Sequence, residues 1–165
     1  MTNRYAEKTT VSVEKSKAEI ERTLTRYGAQ AFMHGWDQEQ AVIQFRMNDR
    51  QIRYSLPLPA KDAEEFLYTP ARRYPRDSDG VLAAWEQAVR QRWRALLLVI
   101  KAKLEAVEAG ISTFEDEFLA YTVLPDGQTV GDFMLPQVAL AYLKGEMPRM
   151  LPAPRDEMDE PGRHA

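Results

Sequence analysis

Three short runs of alternating apolar and polar residues within residues 30–59 constrain the fold of this chain more than any other feature. They cover residues 31–35, 41–47 and 51–58, and compact turns join them. Alternation with a period of two predicts half-buried strands, and short turns between such runs favour an antiparallel meander. A sheet of this kind has one apolar face, which helices must cover.

Helical patterns lie on both sides of the predicted sheet. Apolar residues at helical spacing over residues 13–27 predict a first helix, with Ser12 as its N-cap and Gly28 as its C-terminal stop. A second, much longer helix is predicted over residues 80–109, with Gly110 as its stop. The order of helix, strands and helix indicates an α+β fold.

Shorter helices are predicted after the long one. Ser112 and Glu115 have the spacing of a capping box, which indicates the start of a short helix. Another helical stretch opens within residues 129–132. We expect Pro136 in the first turn of a final helix that ends near residue 145.

The expected organisation is a single α+β domain over residues 11–147, with a mobile N-terminus (residues 1–10) and a disordered tail (residues 148–165). Hydrophobic residues make up 44% of the chain, which is enough to build a core. The sequence has no cysteine, so disulfides, cysteine-based zinc sites and a thiol nucleophile are excluded. We expect a cytoplasmic protein without membrane association, because no secretory signal is visible and residues 95–100, the longest apolar run, are too few to span a bilayer.

The predicted long helix is apolar on two faces when its residues are placed at about 100° per residue. One face should pack on the sheet: Trp85, Val89, Trp93, Leu96, Leu97, Ile100, Leu104 and Val107. The nearly opposite face is made mostly of small residues: Ala84, Ala88, Ala95, Leu98, Val99, Ala102, Ala106 and Ala109. A helix with two apolar faces is normally buried on two sides.

Three covers are open for the second face: the C-terminal helices of the same chain, a second copy of the protein, or a foreign helix or peptide. Small residues would let another helix backbone come close. The candidate partner-binding residues are therefore Ala84, Ala95, Leu98, Val99 and Ala102.

Charge is distributed unevenly along the chain. Residues 72–103 hold eight basic and three acidic side chains, whereas residues 104–148 hold one basic and eight acidic side chains. The two segments either pair with each other in the fold or present their charges to different partners.

The basic segment also raises the possibility of single-stranded nucleic-acid binding. The candidate residues are Arg72, Arg73, Arg76, Arg90, Arg92, Arg94, Lys101 and Lys103. Tyr74, Trp85 and Trp93 lie between them and are candidate stacking platforms for bases. Two observations oppose this function: the pI is near 5.5, and no motif of a known nucleic-acid-binding fold is visible.

No pattern of catalytic, cofactor-binding or metal-ligating residues is found. The acidic run Glu115-Asp116-Glu117 falls in the first turn of a predicted helix, where the helix dipole favours negative charge. His34 and His164 each lack a second histidine at ligand spacing, and no nucleophile turn or phosphate-binding glycine loop is present. We therefore expect a protein that is not an enzyme and needs no cofactor.

Three segments resemble a family of small, uncharacterised proteins of tailed phages and prophages. They are residues 91–107 (QRWRALLLVIKAKLEAV), residues 124–131 (LPDGQTVG) and residues 145–152 (GEMPRMLP). The resemblance implies a phage or prophage origin, and hence the host-cell cytoplasm, but it implies no mechanism or functional residue.

The function expected from the sequence is non-catalytic: a phage-type accessory or adaptor protein that associates with protein, or with itself, through residues 80–109. The alternative is an accessory factor that binds single-stranded nucleic acid through the basic residues of segment 72–103.

Overall fold

The computed structural model describes residues 9–37, 39–69 and 74–146. Within them the elements are α1 (Val13–Arg26), β1 (Ala31–Trp36), β2 (Gln40–Met47), β3 (Arg50–Pro57), α2 (Glu64–Leu67), α3 (Ser78–Glu108), α4 (Phe114–Phe118), a 3-10 helix (Leu119–Tyr121) and α5 (Val130–Lys144). The predicted α+β fold is confirmed, including the meander and the unbroken long helix. The predicted disordered tail and most of the predicted mobile N-terminus lie outside the described residues.

The three strands form one antiparallel sheet in the order β1-β2-β3. Asn48 and Asp49 have positive φ angles of 50° and 57°, which suit the tight turn between β2 and β3. Alternate side chains of the two strands are buried, as the alternation predicts: Ala41, Ile43, Phe45, Met47, Ile52 and Tyr54. β1 is an edge strand whose side chains are mostly exposed, and its Trp36 is 74% exposed.

Helices α1 and α3 cover the apolar face of the sheet. The predicted sheet-facing side of α3 is confirmed, because its buried residues are Val89, Trp93, Leu96, Leu97, Ile100 and Leu104. α1 contributes Ile20 and Leu24 to the same core. An ion pair of 2.7 Å between Glu19 and Arg94 links the two helices at their boundary.

Two details of the C-terminal helices differ from expectation. The capping box of α4 is formed by Thr113 and Asp116, not by Ser112 and Glu115, because the Ser112 hydroxyl donates instead to Glu117 (2.7 Å). α5 begins directly after Thr129, its N-cap, which forms a capping box with Asp132 inside the helix, so Pro136 lies in the middle of α5 and not in its first turn. A proline inside a helix removes one backbone hydrogen bond and crowds the preceding turn, yet the helix is continuous on both sides of Pro136.

Aromatic contacts attach the C-terminal part to the sheet. Phe118 meets Phe45 edge to face, with ring centroids 6.0 Å apart, and Tyr121 stacks on Tyr54 at 4.0 Å. The amide of Val123 then donates to the carbonyl of Gln51 in β3 (2.8 Å). These contacts hold the 3-10 helix beside β3, and α5 packs on that 3-10 helix.

Candidate functional site

The five candidate partner-binding residues lie on α3, on the side away from the sheet, and we call them the alanine stripe (Ala84, Ala95, Leu98, Val99 and Ala102). Ala95, Val99 and Ala102 are exposed, while Ala84 and Leu98 are half-buried. Val99 is 43% exposed, whereas its neighbour Ile100 is completely buried. The helix therefore has a buried apolar face and, opposite it, a partly solvated apolar face.

The elements that flank α3 leave the centre of the stripe open. α1 packs along one side, where Arg94 pairs with Glu19. α4 packs along the other, where the ammonium of Lys103 donates to the backbone carbonyl of Glu117 (2.7 Å) and to its carboxylate (3.0 Å). The alternative that the C-terminal helices cover this face is wrong for the centre of the stripe, because the residues there remain exposed.

Lys103–Glu117 is also the one ion pair that joins the basic segment to the acidic segment among the residues described. The hydrogen bond from Ser112 and the interaction with Lys103 hold the pKa of Glu117 below its ordinary value. Arg90 and Arg94 pair elsewhere, with Glu86 and Glu19. Among the described residues, the basic and acidic segments therefore neutralise little of each other's charge.

Most of the candidate nucleic-acid-binding residues that are described have internal partners. The Arg76 guanidinium donates to the carbonyls of Glu65 and Phe66, so it holds the end of α2. Arg92 donates to the carbonyl of Pro57 (2.8 Å). Lys101 is exposed and makes no hydrogen bond or ion pair within the described part of the chain. Arg72 and Arg73 lie outside the described residues.

The aromatic residues of the basic segment do not form a shared stacking platform. Trp93 is buried under α1, where the Lys17 ammonium lies 4.7 Å from its ring centroid. Trp85 is half-buried, its indole N–H donates to the carbonyl of Pro59 (2.7 Å), and Lys61 lies over its ring. Of the three, only Tyr74 has a largely exposed ring.

A surface that the sequence reasoning missed lies on α5. Its outer face consists of exposed large apolar residues: Phe133, Leu135, Leu140, Tyr142 and Leu143. Leu135, Tyr142 and Leu143 are 65%, 88% and 82% exposed. The signal in the sequence was the nearly uniform apolar composition of residues 130–144. The prediction placed a helix boundary at Pro136, whereas the stretch is a single helix. Its apolar surface is larger than the 3-10 helix covers.

The described residues also contain an open cleft between the sheet edge and the start of α3. Its volume is about 560 Å³, and Trp36 and Trp85 contribute to its walls together with Lys61 and Asp62. Lys61 already lies over the face of Trp85, at 4.4 Å from the ring centroid. The cleft therefore has one aromatic face occupied by a side chain of the same protein.

Within residues 9–37, 39–69 and 74–146, no group of three histidine or carboxylate side chains is arranged to hold a metal ion. His34 is exposed on β1, and its ring lies 5.9 Å from that of Phe32. His164 lies outside this part of the chain. The carboxylates of Asp116 and Glu117 are engaged in the α4 capping box and with Lys103, as described above.

No helix in the described part of the chain has both the length and the apolar character needed to cross a bilayer. Comparison of the chain with protein-family models, with curated proteins and with solved structures finds no match.

Proposed function

We propose that this protein is a non-catalytic accessory or adaptor protein, of the phage type that the resemblance implies, and that it acts by binding protein through the alanine stripe of α3. One observation carries the proposal: Ala95, Val99 and Ala102 are exposed on a helix whose opposite face is the core of the domain. α3 is thereby held rigidly while its outer side remains available to a partner.

The side chains of the stripe favour a helix as the partner. Packed helices lie about 8–10 Å apart, depending on the side chains at the contact, and small residues permit the closer distances. Ala95 and Ala102 are seven residues apart, so they lie two helical turns apart on nearly the same line along α3. Large apolar side chains of a partner helix would fit between and beside them, and burial of that apolar area would drive association.

A site-specific cross-linking experiment tests this proposal. Because the sequence has no cysteine, Ala102→Cys creates a unique thiol that can carry a maleimide-linked benzophenone. Irradiation of the labelled protein in an extract of the producing cells should yield a covalent protein adduct. Ser55→Cys, at an exposed position on the sheet, is the matched control and should yield none. Equal adduct yields at both positions, or none at Ala102, would refute the proposal.

The nucleic-acid alternative is tested separately by fluorescence anisotropy with labelled single-stranded oligonucleotides. We expect no tight binding even at low salt, because Arg76, Arg92 and Arg94 have internal partners. Binding that weakens steeply as salt is added would instead support the alternative, since phosphate contacts release counterions. In that case Lys101→Glu should weaken it most among the described candidates, because Lys101 is the free one within that part of the chain.

A further inference from the structure

We propose that the cleft between the sheet edge and the start of α3 binds a small organic cation that carries a quaternary ammonium group. Two tryptophan rings and three carboxylates contribute to its walls: Trp36, Trp85, Asp37, Glu39 and Asp62. Its volume of about 560 Å³ lies within the range of small-molecule sites. No residue of the alanine stripe lines this cleft, so the inference does not rest on the proposed function.

Trp36 is a large side chain that the fold leaves solvated on the helix-covered side of the sheet. It pairs with Ala41 of β2, which is completely buried, and directly paired residues of antiparallel strands project to the same side. Trp36 is nevertheless 74% exposed, since it borders the cleft. Its ring is therefore available to a ligand as one wall of the site.

Trp85 shows that the second wall accepts an ammonium group. Its indole N–H donates to the carbonyl of Pro59 (2.7 Å), which fixes the orientation of the ring, and the Lys61 ammonium lies 4.4 Å from the ring centroid. The face of an indole ring attracts cations, and the attraction is stronger when the cation is desolvated. A primary ammonium is strongly hydrated, whereas a quaternary ammonium loses less on leaving water. Because Lys61 is exposed and flexible, such a cation can displace it from the ring.

The charges of the cleft also favour a cation. Three carboxylates and one ammonium group line it, so its formal charge is −2. Within the described part of the chain, no ion pair joins Lys61 to any of these carboxylates. The amides of Gln40 and Glu39 donate to the Asp37 carboxylate (2.8 Å each) and hold its pKa below the ordinary value, so this group remains ionised. A cation that enters the cleft therefore meets a negative potential as well as two aromatic rings.

Backbone hydrogen bonds hold the walls of the cleft in place before a ligand binds. The amide of Leu58 donates to the carbonyl of Glu39 (2.8 Å) and ties the end of β3 to the start of β2. The amide of Ala63 donates to the carbonyl of Ala60 (3.2 Å) and closes the turn that carries the charged residues 61–62. A site that is formed in advance loses less conformational entropy on binding, so a small ligand can be held by few contacts.

Two-dimensional NMR of the nitrogen-labelled full-length chain tests the inference, with choline chloride as the probe. The three tryptophans give three indole N–H signals. Those of Trp36 and Trp85 should shift with one common dissociation constant of about 10 mM or lower. The signal of the buried Trp93 is the internal control and should not move. An absence of shifts at Trp36 and Trp85 would overturn the inference.

An uncharged analogue separates the cationic from the apolar contribution. In 3,3-dimethylbutanol a carbon atom replaces the nitrogen of choline, so the shape is kept and the charge is lost. This alcohol should bind at least about 5-fold more weakly than choline, because the aromatic rings and the carboxylates both act on the charge. Equal binding of the two compounds would mean that the cleft is merely apolar, which contradicts the inference.

Two neighbouring residues of the cleft should have opposite effects on choline binding. Lys61→Gln removes the internal competitor and one positive charge, so the dissociation constant should fall by about 3-fold or more. Asp62→Asn removes a negative charge and should raise it by about 3-fold. Glu108→Gln, about 34 Å from Trp85 along α3, is the matched control and should leave it unchanged. Weaker binding by Lys61→Gln would overturn the displacement of Lys61.

Trp36→Ala should weaken choline binding by about 5-fold or more, because one aromatic wall is lost. Met33→Ala is its control: Met33 is also exposed on β1, but it projects to the other side of the sheet. Both variants should keep the wild-type circular dichroism spectrum, since both side chains are exposed. An equal loss of binding in the two variants would contradict the assignment of the site.

Phosphocholine distinguishes a free cation from a lipid headgroup as the source of the quaternary ammonium. Its phosphate would lie near the carboxylates of the cleft, so it should bind more weakly than choline. Tighter binding of phosphocholine would overturn the inference, because it would assign the site to a phosphorylated headgroup.

Discussion

Val99 and Ile100 are neighbours in α3 whose replacement by alanine should have very different effects on stability. Ile100 is completely buried in the core, and Ile→Ala at such a site costs about 2–5 kcal/mol of unfolding free energy. Val99 is 43% exposed, so Val→Ala should lose less than about 1 kcal/mol of hydrophobic stabilisation. Alanine also has the higher helix propensity, by about 0.5 kcal/mol, which offsets most of that loss. The net effect of Val99→Ala should be within about 0.5 kcal/mol of zero.

Urea denaturation, followed by tryptophan fluorescence at low protein concentration, measures both values. The low concentration minimises any contact between chains, so that the measurement reports the fold alone. If Ile100→Ala does not fold, Ile100→Val, expected to cost about 0.5–1.5 kcal/mol, serves in its place. A cost of 2 kcal/mol or more for Val99→Ala would refute the reasoning, because it would mean that the stripe is buried within the single chain.

Three further predictions concern the part of the fold that carries α5. The hydrogen bond from Ser112 lowers the pKa of Glu117 in the folded state, so its stabilisation is complete above the ordinary value of 4.5 and is lost as pH falls through the lowered pKa. Glu117→Gln should therefore reduce the loss of thermal stability that acidification below pH 4.5 causes. Gly131→Ala would place a Cβ 2.8 Å from the carbonyl oxygen of Ala120, so α5 should separate from the 3-10 helix and its amides should exchange faster in hydrogen-exchange mass spectrometry. Tyr54→Phe removes a buried hydroxyl that has no hydrogen-bond partner among the described residues, so urea denaturation should show unchanged or higher stability, by up to about 1 kcal/mol.

Matched variants separate these effects from general perturbation. Glu115 lies in the same helical turn as Glu117, so Glu115→Gln is the matched control. If it changes the loss of thermal stability at low pH as much as Glu117→Gln does, the role of the Ser112 and Lys103 contacts is contradicted. Gly35→Ala adds a Cβ with no atom within 4 Å and should leave exchange unchanged. If exchange in α3 accelerates as much as in α5, the effect of Gly131→Ala is global unfolding rather than local separation.

Much of the fold could be predicted because its determinants are local. The alternation in β2 and β3 specifies which side chains face the core, since successive side chains of a strand point to opposite sides. The periodicity of α3 likewise identifies the side that packs on the sheet. The capping box predicted for α4 was wrong by one residue. Ser112 and Thr113 have similar capping propensity, and only the contact of Ser112 with Glu117 decides between them.

The sequence by itself determined that α3 has two apolar faces and that the chain contains a meander beneath it, because both follow from the spacing of apolar residues within one element. Only the tertiary structure decided which of those faces is covered, which partners the arginines have, and that α5 lies on the 3-10 helix with large apolar side chains exposed. The physical reason is that periodicity records a side chain's tendency to leave water, whereas the surface that receives it depends on contacts between residues distant in the chain. The ion pair between Glu19 and Arg94 is an example: its atoms lie 2.7 Å apart, but the two residues are 75 positions apart in the chain, so no local pattern predicts the contact.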